Sequence, residues 1–188
     1  MKEVIIFTFV LVNMLSMLAC SVYIQDSNEY DPHKYNPQQE AIYNEETLKE
    51  ILKCFDNKDV DSLIDMFSEA VKSQYDLESQ IEKAFEIYSG KSVSYGDIIN
   101  GGYKYKNIDN GICIEKSIYA DMKNIKIDNK EFFTIGIIQW VISDINTNEL
   151  GLSKIFLCDE NNIKLAVIGR VDSQELRILE ENNRNRNN

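Results

Sequence analysis

Apolar residues recur at helical spacing in the first half of the chain. Leu48, Ile51, Leu52 and Phe55 stand at i, i+3, i+4 and i+7, one face of an α-helix. Asn44 precedes them as a capping residue, and Glu45 and Glu46 occupy the first turn, where acidic side chains complement the helix dipole. Asn57 and Lys58 break the pattern. Val60, Leu63, Ile64 and Phe67 repeat the spacing in a short second helix that starts at Asp59 or Asp61. A third helix is predicted from about Ser73 to Tyr88, with Leu77, Ile81, Ala84, Phe85 and Tyr88 as its inner stripe. Ser73 and Asp76 approximate a capping box, and Gly90 suits the position just past the helix end.

Beyond Gly90 the period changes to two. Residues 93–99 read as a strand, Asn100, Gly101 and Gly102 as a turn, and residues 103–106 as the chain returning. Asp109, Asn110 and Gly111 make a hairpin turn. Ile112, Ile114, Ile118, Ala120 and Met122 then alternate with Glu115, Ser117, Tyr119 and Asp121, so one face is buried and Lys116 interrupts it. Asp121 points outward with Tyr119. Asp128, Asn129 and Lys130 make the next turn. Residues 132–145 are apolar on both faces, which marks a central strand covered on each side. Residues 150–158 and 163–171 form a last hairpin, and residues 172–188 a short polar tail with brief helix around Leu176 and Leu179.

Three helices followed by a meander of four to five strands define an α+β fold. A long antiparallel sheet curls under its own twist. The expected domain, residues 45–171, therefore packs its three N-terminal helices on the concave face of a curved antiparallel sheet.

The N-terminus changes the picture. Residues 4–12 are an apolar core of signal-peptide length, and the whole stretch 4–20 is short beside the roughly 20 apolar residues of a spanning helix. Leu18, Ala19 and Cys20 follow and resemble a bacterial lipobox, in which the cysteine thiol takes a diacylglyceryl group before cleavage. Residues 1–19 are then a lipoprotein signal peptide and Cys20 the lipid attachment site. The rival readings are an ordinary cleavage site and an uncleaved anchor. Acyl chains contribute about 0.8 kcal/mol per buried methylene, enough when multiplied to hold a protein at a membrane surface. Residues 20–44, polar and holding Pro32, Pro37 and the lone His33, read as a flexible tether. The expected location is the extracytoplasmic face of the cell membrane.

Composition adds exclusions. The net charge of −11 opposes a phosphate-binding surface, so nucleic acid is not an expected partner. It also opposes electrostatic docking on anionic lipid. Cys54, Cys113 and Cys158 remain after Cys20; three is odd, no CxxC occurs, and their spacing fits no zinc site. Buried free thiols are the favoured reading, a single disulfide the alternative. Asp56 to Asp61 imitates a calcium loop, but Lys58 and Val60 stand where oxygen ligands belong. No metal or cofactor is expected.

The element order resembles the nuclear-transport-factor-two-like (cystatin-like) superfamily, with residues 57–68 similar to its helical hairpin. Residues 76–85, then Gly90, Trp140, Gly151 and Leu152, are similar to an uncharacterised bacterial lipoprotein family, domain of unknown function 5104. The resemblance covers roughly residues 45–169 and implies a cone-shaped domain but no catalytic residue. Enzymes of this fold use a carboxylate or histidine shifted by burial and a donor facing an oxyanion. The candidates here are Asp144, which shares a strand face with Trp140 and Ile142, and Asp97. Tyr103, Tyr105 and Trp140 are candidate pocket walls. The leading expectation is a non-catalytic module that binds a small apolar ligand or an envelope protein. The rivals are a small isomerase, cyclase or hydrolase using Asp144 or Asp97, and a structural protein that forms a homodimer through its outer sheet face.

Overall fold

The computed structural model describes His33, residues 36–129 and residues 131–186. The expected signal segment, Cys20 and most of the expected tether lie outside the described residues. The chain from Asp31 onward forms one compact unit.

Helix α1 spans Pro37–Asn57 and starts eight residues earlier than the pattern predicts. Asn36, not Asn44, caps it: its side chain accepts from the backbone of Gln38 and Gln39 at 3.1 and 3.2 Å. Pro37 fits the first helical position, where no N–H is needed. Asn44 sits inside the helix and is buried. The helix ends at Lys58 in the left-handed region (φ 56°), unusual for a residue with a side chain. Its ammonium donates to the carbonyls of Phe85 and Tyr88 and lies 5.2 and 5.1 Å from the centroids of their rings.

Helix α2 (Val60–Asp65) starts at Asp59, which accepts from the Ser62 amide at 3.0 Å. The expected third helix is two. Helix α3 (Glu69–Lys72) is capped by Ser68, and α4 (Leu77–Ile87) by Asp76, which accepts from the Ser79 amide at 3.2 Å. Ser73 belongs to the end of α3, so no capping box forms.

Six strands follow: β1 (Ser92–Ser94), β2 (Ile98–Asp109), β3 (Ile112–Ile127), β4 (Phe132–Ser143), β5 (Gly151–Asp159) and β6 (Lys164–Gly169). Every pairing between them is antiparallel. The order is β1-β3-β4-β5-β6, with β2 beside β1 on the same edge of β3. Gly101 and Gly102, expected as a turn, lie inside β2. Gly102 has φ 74° and the register slips between Asn100 and Tyr103, so the pair makes a bulge instead of reversing the chain. The reversal comes at Asn110 and Gly111, both at positive φ, as a tight hairpin requires. The strand expected over residues 93–99 is split between β1 and β2. The C-terminal residues, expected as a polar tail with a brief helix around Leu176 and Leu179, form a longer helix, α5 (Ser173–Arg186).

One cluster joins Leu48, Ile51 and Phe55 of α1, Ile81 and Phe85 of α4, and Ala120, Met122, Ile135, Ile137 and Ile155 of the sheet. The helical stripes and the inner sheet face thus bury each other. Phe55 meets Phe85 and Tyr88 edge-on at 5.0 and 5.3 Å, and Tyr88 tilts onto Phe133 at 5.3 Å. The Tyr88 hydroxyl donates to Asp56, which also accepts from the Ser92 amide at 2.7 Å. Burial, then the Asp56 charge, holds that phenol far above its ordinary pKa.

The outer sheet face is covered differently. The rings of Tyr119 and Phe156 stack 5.9 Å apart, 8° from parallel. A Cβ on Gly101 or on Gly136 would fall 2.1 Å from those rings, so each ring lies flat on a glycine. Helix α5 is tied to β5 and β6 by Glu175, which reaches Lys154 at 2.7 Å and Lys164 at 2.9 Å. Asn182 and Asn183 donate to the carbonyls of Lys164 and Leu165.

Candidate functional site

The sequence-predicted site residues separate into two places. The Asp97 carbonyl accepts from the Lys123 amide, whereas the Asp144 amide donates to the Ile114 carbonyl. Lys123 and Ile114 are nine residues apart on β3, so the aspartates stand about 30 Å apart along the strand. Both aspartates are exposed. The Asp144 carboxylate is 3.8 Å from His33 Nε2. Asp144 and Asp97 therefore share no pocket.

Two of the aromatic candidates do meet. Tyr105 lies 5.4 Å from Trp140, ring to ring, on the outer face. Tyr103 is exposed, with the Lys106 ammonium 6.0 Å from its ring centroid. Trp140 does not share a face with Ile142, contrary to the alternation. Lys116 pairs with Ile142 and Ser117 with Trp140, so β4 uses two steps where β3 uses one. This bulge at Val141 turns Trp140 outward and Ile142 inward.

Just behind Trp140, on the inner face, the core stops being apolar. Lys116 forms an ion pair with Glu40, and both side chains are almost fully buried. One turn along α1, the Asn44 side chain donates to Asn100 at 2.7 Å and accepts from Gln139 at 3.0 Å. Helix α1 supplies Glu40 and Asn44, β2 supplies Asn100, β3 Lys116 and β4 Gln139. Lys106 stands directly opposite Lys116 in the β2–β3 register, with its own side chain exposed, in a chain of net charge −11. Like charges at opposite positions destabilise a sheet unless an anion lies between or above them. Glu40 supplies that anion. Such an arrangement can hold a carboxylate by a charged hydrogen bond in a site screened from water.

Of this group, sequence reasoning marked Lys116 as a break in the alternation, Asn44 as a helix cap and Asn100 as part of a turn. Gln139 was legible as a polar residue inside an apolar strand. Glu40 and Asn44 continue the α1 stripe backward at i, i+4 and i+8 from Leu48, but their polar character placed them in the tether.

A second buried carboxylate lies on the outer face. Asp121 points outward with Tyr119, as the alternation predicts, yet it is buried. Its Oδ2 accepts from the Tyr119 hydroxyl at 2.8 Å and lies 3.3 Å from Lys123 Nζ, while Oδ1 is buried without a hydrogen-bond partner. Burial and the Asp121 hydrogen bond raise the Tyr119 phenol well above its ordinary pKa. Cys54 and Cys158 are buried, Cys113 is half-buried, and all three are free thiols. Burial pushes the Cys54 and Cys158 thiols up to about 11.

Two open depressions lie elsewhere. One of about 440 Å³ lies between α3 and the turn at Thr147–Glu149, lined by Glu69, Ser73 and Asn146 among others; one of about 210 Å³ lies between β6 and α5. None of Asp97, Tyr103, Tyr105, Trp140 or Asp144 lines either. Among the described residues, no group of three or more His, Cys, Asp and Glu is placed to hold a metal ion, and no helix is long and apolar enough to cross a membrane.

A helical layer packed on an antiparallel sheet, with a largely buried polar network at one end of their interface, describes an α+β domain. The match to known families is specific: residues 50–160 fit the model of the domain of unknown function DUF5104, and the chain belongs to that family. The matched segment begins inside α1 and ends just past β5, so it contains Asn100, Lys116 and Gln139 but not Glu40 or Asn44. No curated protein matches the chain.

Proposed function

We propose that this protein is a lipid-anchored, non-catalytic binding module of the cell envelope, tethered through Cys20 and built on a cystatin-like cone. The polar network of Glu40, Lys116, Asn44, Gln139 and Asn100 is the observation that carries the binding reading. A buried ion pair contributes little net stability compared with apolar residues of the same volume. A core selected for stability alone would continue the Leu48–Phe55 stripe to the helix start. The lipobox at residues 18–20 and the apolar segment before it support the anchor.

Binding fits better than catalysis. An isomerase or cyclase needs a desolvated carboxylate facing a donor at a position the substrate can reach. Asp97 and Asp144 remain in water and far apart, and the buried Glu40 is neutralised by Lys116. The pair of exposed Tyr105 and half-buried Trp140 at the same end of the sheet offers an apolar platform for a ligand or an envelope protein.

Intact mass spectrometry of the protein extracted from native membranes tests this directly. The expected species begins at Cys20 and carries acyl mass, and Cys20→Ser moves the protein to the soluble fraction. An unmodified Cys20 on a chain that retains residues 1–19 ends the anchoring reading. Native mass spectrometry of the same sample reads out any co-purified ligand.

A further inference from the structure

The first two turns of α1 are attached to the sheet through polar contacts alone among the pairs described above, and the charged one is the carboxylate of Glu40 on Lys116. The receiving side is built by three separate strands. Lys116 presents the cation and Lys106 stands opposite it; Gln139 and Asn100 supply amide groups; Ile118 and Ile142 are buried beside Lys116 on the same face. The carboxylate that α1 delivers to this cation from outside the sheet is that of Glu40.

We propose that this inner-face cluster is a binding site for carboxylate-bearing small molecules, and that Glu40 is its resident occupant. The proposal deepens the binding reading by naming a ligand class; it rests on that reading for its biological role but not for its chemistry. A ligand carboxylate takes the place of Glu40 on Lys116, and the first two turns of α1 yield while Leu48, Ile51, Leu52 and Phe55 hold the rest of the helix in the core. Because Glu40 is tethered, it competes at an effective concentration in the millimolar range or above. A free carboxylate therefore has to be offered at comparable concentration, or the resident side chain has to be removed.

Acetate is the probe, used on the mature full-length chain at constant ionic strength with chloride as the control. Glu40→Ala leaves Lys116 buried without its carboxylate and is expected to lower the thermal midpoint by about 10 °C. About 100 mM acetate is expected to recover roughly half of that loss, with saturation, whereas chloride recovers none. Glu40→Gln fills the site with a neutral amide and is expected to be destabilised without responding to acetate. The doubly apolar variant Glu40→Leu with Lys116→Met is expected to fold and to ignore acetate; it keeps the test decisive if Glu40→Ala fails to fold, because wild type must then show the acetate effect that this variant lacks. That effect is faster amide exchange in residues 40–47, with residues 51–57 unchanged.

Acetate rescue that persists without Lys116, or no acetate response in either Glu40→Ala or wild type, overturns the proposal. Neither result touches the acylation of Cys20, and an unacylated Cys20 leaves the acetate titration intact, so the two readings fail separately.

Discussion

The two halves of α1 lie on the same sheet and hold to it by different physics. From Leu48 onward the contact is apolar and almost fully buried, joined to α4 and β3–β5 in one cluster. Before Leu48 the contact is an ion pair and two side-chain hydrogen bonds. Apolar contact is non-directional and tolerates any side chain of the right size. The polar half is directional: donors and acceptors must meet in a set geometry, and losing one member of a buried pair carries a desolvation cost. The first half therefore specifies a geometry, and the second supplies the free energy that keeps it folded.

The comparison breaks most sharply at its centre. Phe55→Ala is expected to cost about 4 kcal/mol in urea denaturation, because the Phe85 and Tyr88 rings cannot close the cavity it leaves. Glu40→Ala is expected to cost about 3 kcal/mol, the burden of a buried ammonium that has lost its carboxylate. The halves then diverge. Glu40→Leu combined with Lys116→Met is expected to come within about 1 kcal/mol of wild type, or to exceed it. No partner substitution compensates for Phe55 in that way. A double variant as damaged as Glu40→Ala would show that the polar half contributes stability of its own.

Helix α5 offers a gentler polar contact on the other face. Burial raises the Glu175 carboxyl, and hydrogen bonds from Lys154 and Lys164 more than offset it, leaving its pKa below the ordinary 4.5. A carboxylate whose folded pKa is depressed stabilises the fold above its unfolded value and loses that contribution as pH falls through the folded one. Docking of α5 is thus expected to be at full strength above pH 4.5 and to weaken progressively below it. Glu175→Gln is expected to remove about 1 kcal/mol at pH 7 and to flatten that acid dependence, as read by amide exchange across residues 164–179.

The smallest effect is chemical. With their pKa values near 11, Cys54 and Cys158 hold little thiolate at pH 8 and are shielded as well. A thiol reagent is expected to label Cys113 first in the native domain. Cys54 and Cys158 are expected to react only at the rate of unfolding, and prompt labelling of either would show that its side of the core opens locally.

Legibility in the sequence followed the periodicity. The stripe Leu48 to Phe55, the second helix, the inner face of β3 from Ile118 to Met122 and the turn at Asn110–Gly111 were readable because the side-chain period reports burial directly. The start of α1 was not, because Glu40 and Asn44 are polar and polar residues ordinarily mark the solvent side. The bulges were not either. One extra residue at Val141 moved Trp140 to the opposite face from Ile142, and the glycine bulge carried β2 onward where a turn was expected. Of the five candidate pocket residues only Tyr105 and Trp140 came together, since face assignments made by counting do not survive a bulge.

By itself the amino-acid sequence determined the class of fold, the acidic surface and the apolar segments that pack, because these depend on local periodicity and composition. Which polar residues are buried, and against whom, was decided only by the tertiary structure. Glu40 and Lys116 are 76 positions apart, and nothing local to either announces the other. Their pairing exists because three strands and a helix converge there and exclude water, and a charge in such a place must find its opposite.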